Sequence, residues 1–288
     1  MKTKELLKKV RKVEIKTKRL SNNIFGGEYH SAFKGRGMTF SEVRSYEFGD
    51  DVRSIDWNVT ARYNSPFVKV FEEERELTLM LIVDVSGSKF FGSNSELKKN
   101  IATEISAVLA FSAIQNNDKV GLILFTDKVE LYIPPSKGKS HILRIIRELI
   151  EFSPESRKTN ISCALEYFLN ITTKRSIAFV ISDFISNEYG KSLSIASKRH
   201  DITGIRIFDK IEEEIPNLGI IPMIDQESFD VKLIDTGSKN VRKTYKVNSL
   251  KKRNEFENLF KRNGSGIINC RTDQSYVKLL LGYFKNRA

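Results

Sequence analysis

An α/β fold, with a doubly wound, mostly parallel sheet beside a smaller loop- and β-rich lobe, is predicted by three observations. Residues 77–83 form a continuous apolar run that ends in Asp84-Val85-Ser86-Gly87-Ser88. That is the pattern of a strand buried on both faces whose carboxyl end opens into a polar crevice. Beyond it, helical and strand periodicities alternate to the end of the chain, as a parallel sheet covered on both sides requires. With 288 residues and 40% hydrophobic content, the chain can bury one sizeable core and carry an appended lobe.

In chain order, residues 1–20 read as a basic helix with Leu6, Val10, Val13 and Leu20 in a loose apolar stripe. A solvated helix packed on the domain and a surface for membrane, nucleic acid or a partner helix both fit that stripe. Residues 21–76 read as a lobe poor in apolar material, in which Arg36, Arg44, Arg53 and Arg62 interleave with Glu42, Glu47, Asp50, Asp51 and Asp56. Arginine forks match carboxylates bidentately, so this pattern serves either as an intramolecular clamp or as a docking surface. Trp57, the one tryptophan, is expected to anchor the lobe on the main domain. The acidic run Glu72-Glu73-Glu74 reads as solvated.

Residues 77–288 are expected to form the main domain. Leu97, Ile101, Ile105, Val108, Leu109 and Ala113 recur at helical spacing over 95–115, and Asp118-Lys119 lead into a strand over 120–125. Residues 129–133 read as a short edge strand stopped by Pro134-Pro135. Ser140 is expected to cap a helix running through Ile142, Leu143, Ile146, Leu149 and Ile150. A helix over 161–171 and an apolar strand over 176–182, ending at Asp183, come next. Then follow a helix over 188–199, a strand over 202–208, a helix over 249–262, a strand over 266–270 and a helix over 274–285. An insertion at about 213–248 reads as a hairpin of 231–235 with Tyr245-Lys246-Val247, paired with the lobe.

The net charge of +12 is concentrated in two segments, since 1–20 and 239–262 each hold nine Lys/Arg against two Glu. The crevice therefore has no large positive field built into it, and a nucleic-acid partner would have to use those peripheral segments. No apolar stretch nears the roughly 20 residues that span a bilayer and no secretory signal opens the chain, which predicts a cytoplasmic protein. Cys163 and Cys270 lack metal-ligand or redox spacing and read as core thiols.

Asp84, Ser86 and Ser88 offer hard oxygen ligands suited to Mg²⁺ or Mn²⁺ from one tight loop. Asp183 repeats the strand-end carboxylate, and right-handed crossovers bring neighbouring strand ends to one edge. Thr159, just ahead of the helix at 161, has two readings, a helix N-cap or a further ligand. Rival chemistries lack their parts. Gly138-Lys139-Ser140 has Ile133 where a phosphate loop needs glycine, and Ser86 stands where aspartyl-phosphate chemistry needs a second carboxylate. His30, His141 and His200 are far apart with no hydrolase motif around them, so no catalytic constellation is complete. A metal-dependent phosphohydrolase and a nucleic-acid-binding protein remain the alternatives to a binding module.

Asp84-x-Ser86-x-Ser88, Thr159-Asn160-Ile161-x-x-Ala164-Leu165 and Ser182-Asp183, in that order, resemble the metal-ion-dependent adhesion site of von Willebrand factor A domains. The resemblance implies a divalent cation held by Asp84, Ser86, Ser88 and Thr159, with Asp183 reached through water and one position open to a partner's acidic side chain. Upstream, Ser31-Ala32-Phe33-Lys34-Gly35-Arg36-Gly37, Phe40-x-Glu42-Val43-Arg44, Gly49-Asp50-Asp51-x-Arg53-x-Ile55-Asp56-Trp57 and Thr60-Ala61-Arg62 are similar to the signature of the domain of unknown function 58 family. That likeness implies a von Willebrand A-like domain working beside a MoxR-type AAA+ ATPase in chaperone-like maturation or envelope stress.

Overall fold

The computed structural model describes residues 11, 13–14, 38–73, 77–86, 95–186, 189–224 and 231–287. The elements begin with β1 (Met38–Ser45), a 3₁₀ turn (Val52–Ser54), α1 (Trp57–Tyr63) and β2 (Phe67–Glu73). The next are β3 (Thr78–Asp84), α2 (Ser95–Gln115), β4 (Lys119–Phe125), β5 (Val129–Ser136), α3 (Lys139–Glu151), α4 (Ile161–Ile171) and β6 (Ile177–Ser182). The chain closes with α5 (Gly190–Arg199), β7 (Asp201–Phe208), α6 (Lys210–Glu213), β8 (Ile220–Ile224), β9 (Val231–Asp235), α7 (Lys239–Arg262), β10 (Gly266–Arg271) and α8 (Tyr276–Lys285).

Six strands make the main sheet in the order β10-β7-β6-β3-β4-β5. All pairs are parallel except β4 with the edge strand β5. Numbered within the sheet, this is the 3-2-1-4-5-6 order of doubly wound folds, as the alternating periodicities predict. The period-2 geometry of strands sorts the core into two layers. Leu79, Leu81, Val83, Phe179 and Ile181 meet α2, α3 and α8 on one face. Met80, Ile82, Ala178 and Val180 meet α4, α5 and α7 on the other.

Gly204 on β7 lets α7 approach closely, because a Cβ there would sit 2.6 Å from Phe260 Cε1 and 3.0 Å from Phe256 Cε2. Both rings are fully buried, so neither can swing out. Gly204→Ala should lower unfolding stability by about 1–3 kcal/mol, the usual cost of overpacking, as measured by urea denaturation.

Several elements differ from the sequence expectations for identifiable reasons. β5 runs through Pro134-Pro135 to Ser136, because it is an edge strand and the pairing shifts register between Val120 and Leu122 around the prolines. Helix α3 starts at Lys139 behind Gly138 at φ 99°, so Ser140 lies inside the helix and caps nothing. The hairpin is β8 with β9, while Tyr245-Lys246-Val247 belong to α7. Among the described residues it forms its own two-stranded sheet and does not pair with the lobe, whose sheet is β1 with β2.

In the lobe, Arg44 grips Asp50 with two bonds of 2.8 and 2.7 Å, which holds the Asp50 carboxyl below its usual range. Arg53 pairs with Asp51, whereas Asp56 meets Lys69 at 3.5 Å. Arg44 and Arg53 thus pair with carboxylates inside the lobe, Asp56 takes a lysine in place of an arginine, and Arg36 lies outside the described residues. Trp57 is 67% exposed, so it is not the expected anchor. Of the basic N-terminal segment, Val13 packs on the core and Glu14 bonds Lys139 at 2.6 Å.

Cys270 is a core thiol whose pKa burial pushes up to about 12, while Cys163 is only half-buried. His200 is 2% exposed, packs tilted against Phe168 at 4.5 Å between ring centroids and, among the described residues, has no hydrogen-bond partner for either ring nitrogen. Burial, with help from the charges of Arg199 and Arg175, lowers its pKa from 6.5 to about 4. The unfolded chain therefore binds a proton that the folded chain refuses between those two values. Stability should fall as pH drops from about 6.5 towards 4, by up to about 3 kcal/mol in total. His200→Phe should flatten that part of a pH series of urea denaturation curves.

Candidate metal centre

Strand register brings the site together. β3 and β6 pair Val83 with Ile181, so Asp84 and Ser182 follow at the same level. By strand period both share the side of Met80, Ile82, Ala178 and Val180. Ser182 Oγ donates to Asp84 Oδ2 at 2.7 Å, and the Ser86 amide donates to Asp84 Oδ1 at 2.9 Å. Asp84 and Ser86 are both fully buried. From a third segment, Thr159 Oγ1 donates to Ser86 Oγ at 2.6 Å.

This cluster lies where the sheet order reverses, since β3 continues to β4 on one side and meets β6 on the other. Doubly wound sheets bind ligands at this switch point, outside the carboxyl ends of the strands.

Of the predicted site residues, Asp84, Ser86 and Thr159 are joined by these bonds. Ser88 lies outside the described residues. Asp183 is 8% exposed at the same strand ends, but its Oδ1 accepts from the Ile185 amide at 3.0 Å. Ser182, which sequence reading used only as the neighbour of Asp183, is the residue that touches Asp84. Strand alternation is the signal that finds it, because the partner of a carboxylate at the end of β3 must share its parity on β6.

The loop around Asp183 is fixed by Phe184, at φ 58° and 7% exposed. Its amide donates to Ser182 Oγ at 3.1 Å, and its ring packs 4.3 Å from that of Phe256. The left-handed turn at a bulky residue is held by that packing. Thr159 is not the cap of α4, because Asn160 takes that place and its side chain accepts from the Cys163 amide at 3.1 Å. The Thr159 hydroxyl is thereby left to face Ser86.

Beside the crevice lies a buried ion cluster. Lys98 on α2 pairs with Glu212 on α6, the two being 3% and 9% exposed. Arg206 on β7, 4% exposed, lies 3.6 Å from Glu213 and stacks over the Phe208 ring. Burial lowers the Arg206 pKa, opposed by the charges of Glu213, Glu212 and Asp183.

A carboxylate and hydroxyls are hard donors that fit Mg²⁺ or Mn²⁺, and Ser182 is placed to orient the Asp84 carboxylate from behind. Among the described residues no three His, Cys, Asp or Glu converge, so a cation site there must draw on hydroxyl or backbone oxygens. A serine-hydrolase base is not at hand in His141 or His200. His141 Nε2 bonds Val120 O, near the start of β4, and His200 precedes β7, so both sit at the opposite edge of the sheet. His30 lies outside the described residues. Among the described residues no helix is long and apolar enough to cross a membrane.

A doubly wound sheet with a carboxylate and hydroxyls joined at its switch point defines an α/β domain of the Rossmann-like class with a candidate ligand crevice. The chain belongs to the family described as protein of unknown function DUF58, which matches residues 42–255. It is 24% identical over 281 residues to the uncharacterized protein Rv1480 of Mycobacterium tuberculosis H37Rv, covering 96% of this chain and 88% of that one. Among solved structures, the conserved hypothetical protein BatB from Bacteroides thetaiotaomicron aligns with a TM-score of 0.46 and 17% identity, over 73% of this chain and 98% of BatB. A von Willebrand factor type A protein from Catenulispora acidiphila aligns with a TM-score of 0.38 and 12% identity, over 49% and 35% of the two chains.

Proposed function

We propose that this protein is a divalent-cation-dependent protein–protein interaction module. Asp84, Ser86, Ser88 and Thr159 hold Mg²⁺ or Mn²⁺, Asp183 supports the site through water, and a partner's Asp or Glu completes the coordination. The observation that carries this reading is the bonding of the buried Asp84 and Ser86, from the end of β3, to the half-buried Thr159 of a separate loop at the switch point. The chemistry needs no turnover, because a cation in a partly desolvated crevice attracts a carboxylate without a reaction. The resemblance read from the sequence suggests a MoxR-type AAA+ ATPase as partner, in chaperone-like maturation or envelope stress.

A pull-down from native extract, run in Mg²⁺ and in chelator, tests this. An AAA+ ATPase retained only in Mg²⁺ supports both the mechanism and the partner. Retention indifferent to chelator but lost steeply with salt favours nucleic acid on the basic segments, with log K falling by roughly 0.9 per phosphate neutralised. Turnover of a phosphoester that depends on Asp84 favours a phosphohydrolase.

A further inference from the structure

The loop that delivers Thr159 has little to hold it by itself. It leaves α3 at Phe152 and reaches α4 at Ile161 without regular structure. Besides Ser186 Oγ, which donates to the Thr159 carbonyl at 3.2 Å, its ties come from Thr126 in the turn after β4 and from Glu130 at the start of β5. Glu130 Oε2 accepts from the Glu155 amide at 2.9 Å, and Glu130 Oε1 accepts from the Ser156 amide at 3.2 Å and from Thr126 Oγ1 at 2.6 Å. Thr126 is fully buried, and its carbonyl accepts from the Asn160 amide at 2.8 Å. The loop is therefore held on both sides of Thr159, before it at residues 155–156 by Glu130 of β5 and after it at residue 160 by Thr126 of the turn.

We propose that Glu130 is the positioning residue that presets Thr159 for cation ligation, an inference that rests on the metal-site reading above. One carboxylate serves two backbone donors and a hydroxyl, a task that needs acceptors on both oxygens. Lys128, bonded to Glu155 at 2.5 Å, adds an exposed contact to the same loop but does not reach its backbone amides. In Glu130→Gln one oxygen becomes an NH₂ group facing donors. The loop then loses at least one tie while the bulk of the side chain is kept.

The test is a double-mutant cycle on Mn²⁺ affinity, read from the electron paramagnetic resonance of free Mn²⁺, with wild type, Glu130→Gln, Thr159→Ala and the double variant. Losing an outer partner of a ligand typically costs 10- to 100-fold, and Glu130→Gln is expected at about tenfold. In the Thr159→Ala background it should cost nothing further, because the two act as one unit. A loss of equal size in both backgrounds, or none in either, overturns the proposal, since a general structural role would not depend on Thr159. Hydrogen exchange of the Glu155, Ser156 and Asn160 amides without metal separates this inference from the reading beneath it. Were wild type to bind no Mn²⁺, the metal-site reading would fall. Faster exchange in Glu130→Gln would still support its hold on the loop, and unchanged exchange would refute that hold.

Discussion

Asp84→Asn should abolish cation binding while leaving the fold intact. The wild-type carboxylate accepts from the Ser86 amide on one oxygen and from Ser182 Oγ on the other, and it is fully buried. Asparagine keeps an acceptor for the amide, and its NH₂ group can donate to Ser182 Oγ once that hydroxyl turns. What it cannot keep is the negative charge that faces a divalent ion. Mn²⁺ affinity should fall at least about 100-fold, whereas Lys158→Ala, at an exposed position of the same loop as Thr159, should change it less than about twofold. The decisive comparison is thermal unfolding with and without Mg²⁺. A ligand at 100 times its Kd stabilises the folded state by about 2.7 kcal/mol, so the wild-type midpoint should rise and that of Asp84→Asn should not. A rise of equal size in both would place the cation elsewhere.

The second large effect is expected at Lys98 and Glu212. Both are almost wholly buried, so removing one leaves the other charge stranded. Lys98→Met should cost about 3–5 kcal/mol at neutral pH in urea denaturation, whereas Lys98→Met combined with Glu212→Leu should be far milder, because both charges then leave together. Burial already raises the Glu212 pKa, with Lys98 pulling it back. In Lys98→Met that restraint is gone, and folded Glu212 holds a proton that the unfolded chain has released. Stability of the single variant should therefore decline as pH rises above the ordinary glutamate range and recover as pH falls towards it. A single variant as mild as the double one would show that the pair is not insulated from water.

Much of this fold can be read from the sequence because its strands and helices carry clean periods. Helix α4 falls where the pattern put it, and β3 ends in Asp84 as the apolar run implies. The failures came where a short local signal competed with a longer one. Tyr245-Lys246-Val247 look like strand residues, yet they lie in a 24-residue helix whose buried contacts, Phe256 and Phe260, come more than two turns later. β8 was hidden by Pro222, which an isolated ribbon tolerates. Trp57 failed by a one-way rule, because large apolar residues are often left exposed. At the site, residue types and spacing pointed to Asp84 and Ser86, the resemblance added Thr159, and strand parity can find Ser182, but the contacts of Glu130 depend on a loop closure 25 residues long, which no local pattern encodes.

The central position of β3 also sets a timetable for synthesis. Asp84 meets Ser182 across 98 residues of chain, and the β6 side of β3 has no partner until that stretch has been made. At roughly 5–20 residues per second, an apolar strand edge waits on the order of 5–20 s on the ribosome before its neighbour emerges. Through that interval the nascent chain presents an unpaired, sticky edge, so the last strand pairing that protects it is also the one that completes the crevice. A ribosome-bound chain stopped short of β6 should therefore carry neither a finished sheet nor a finished site.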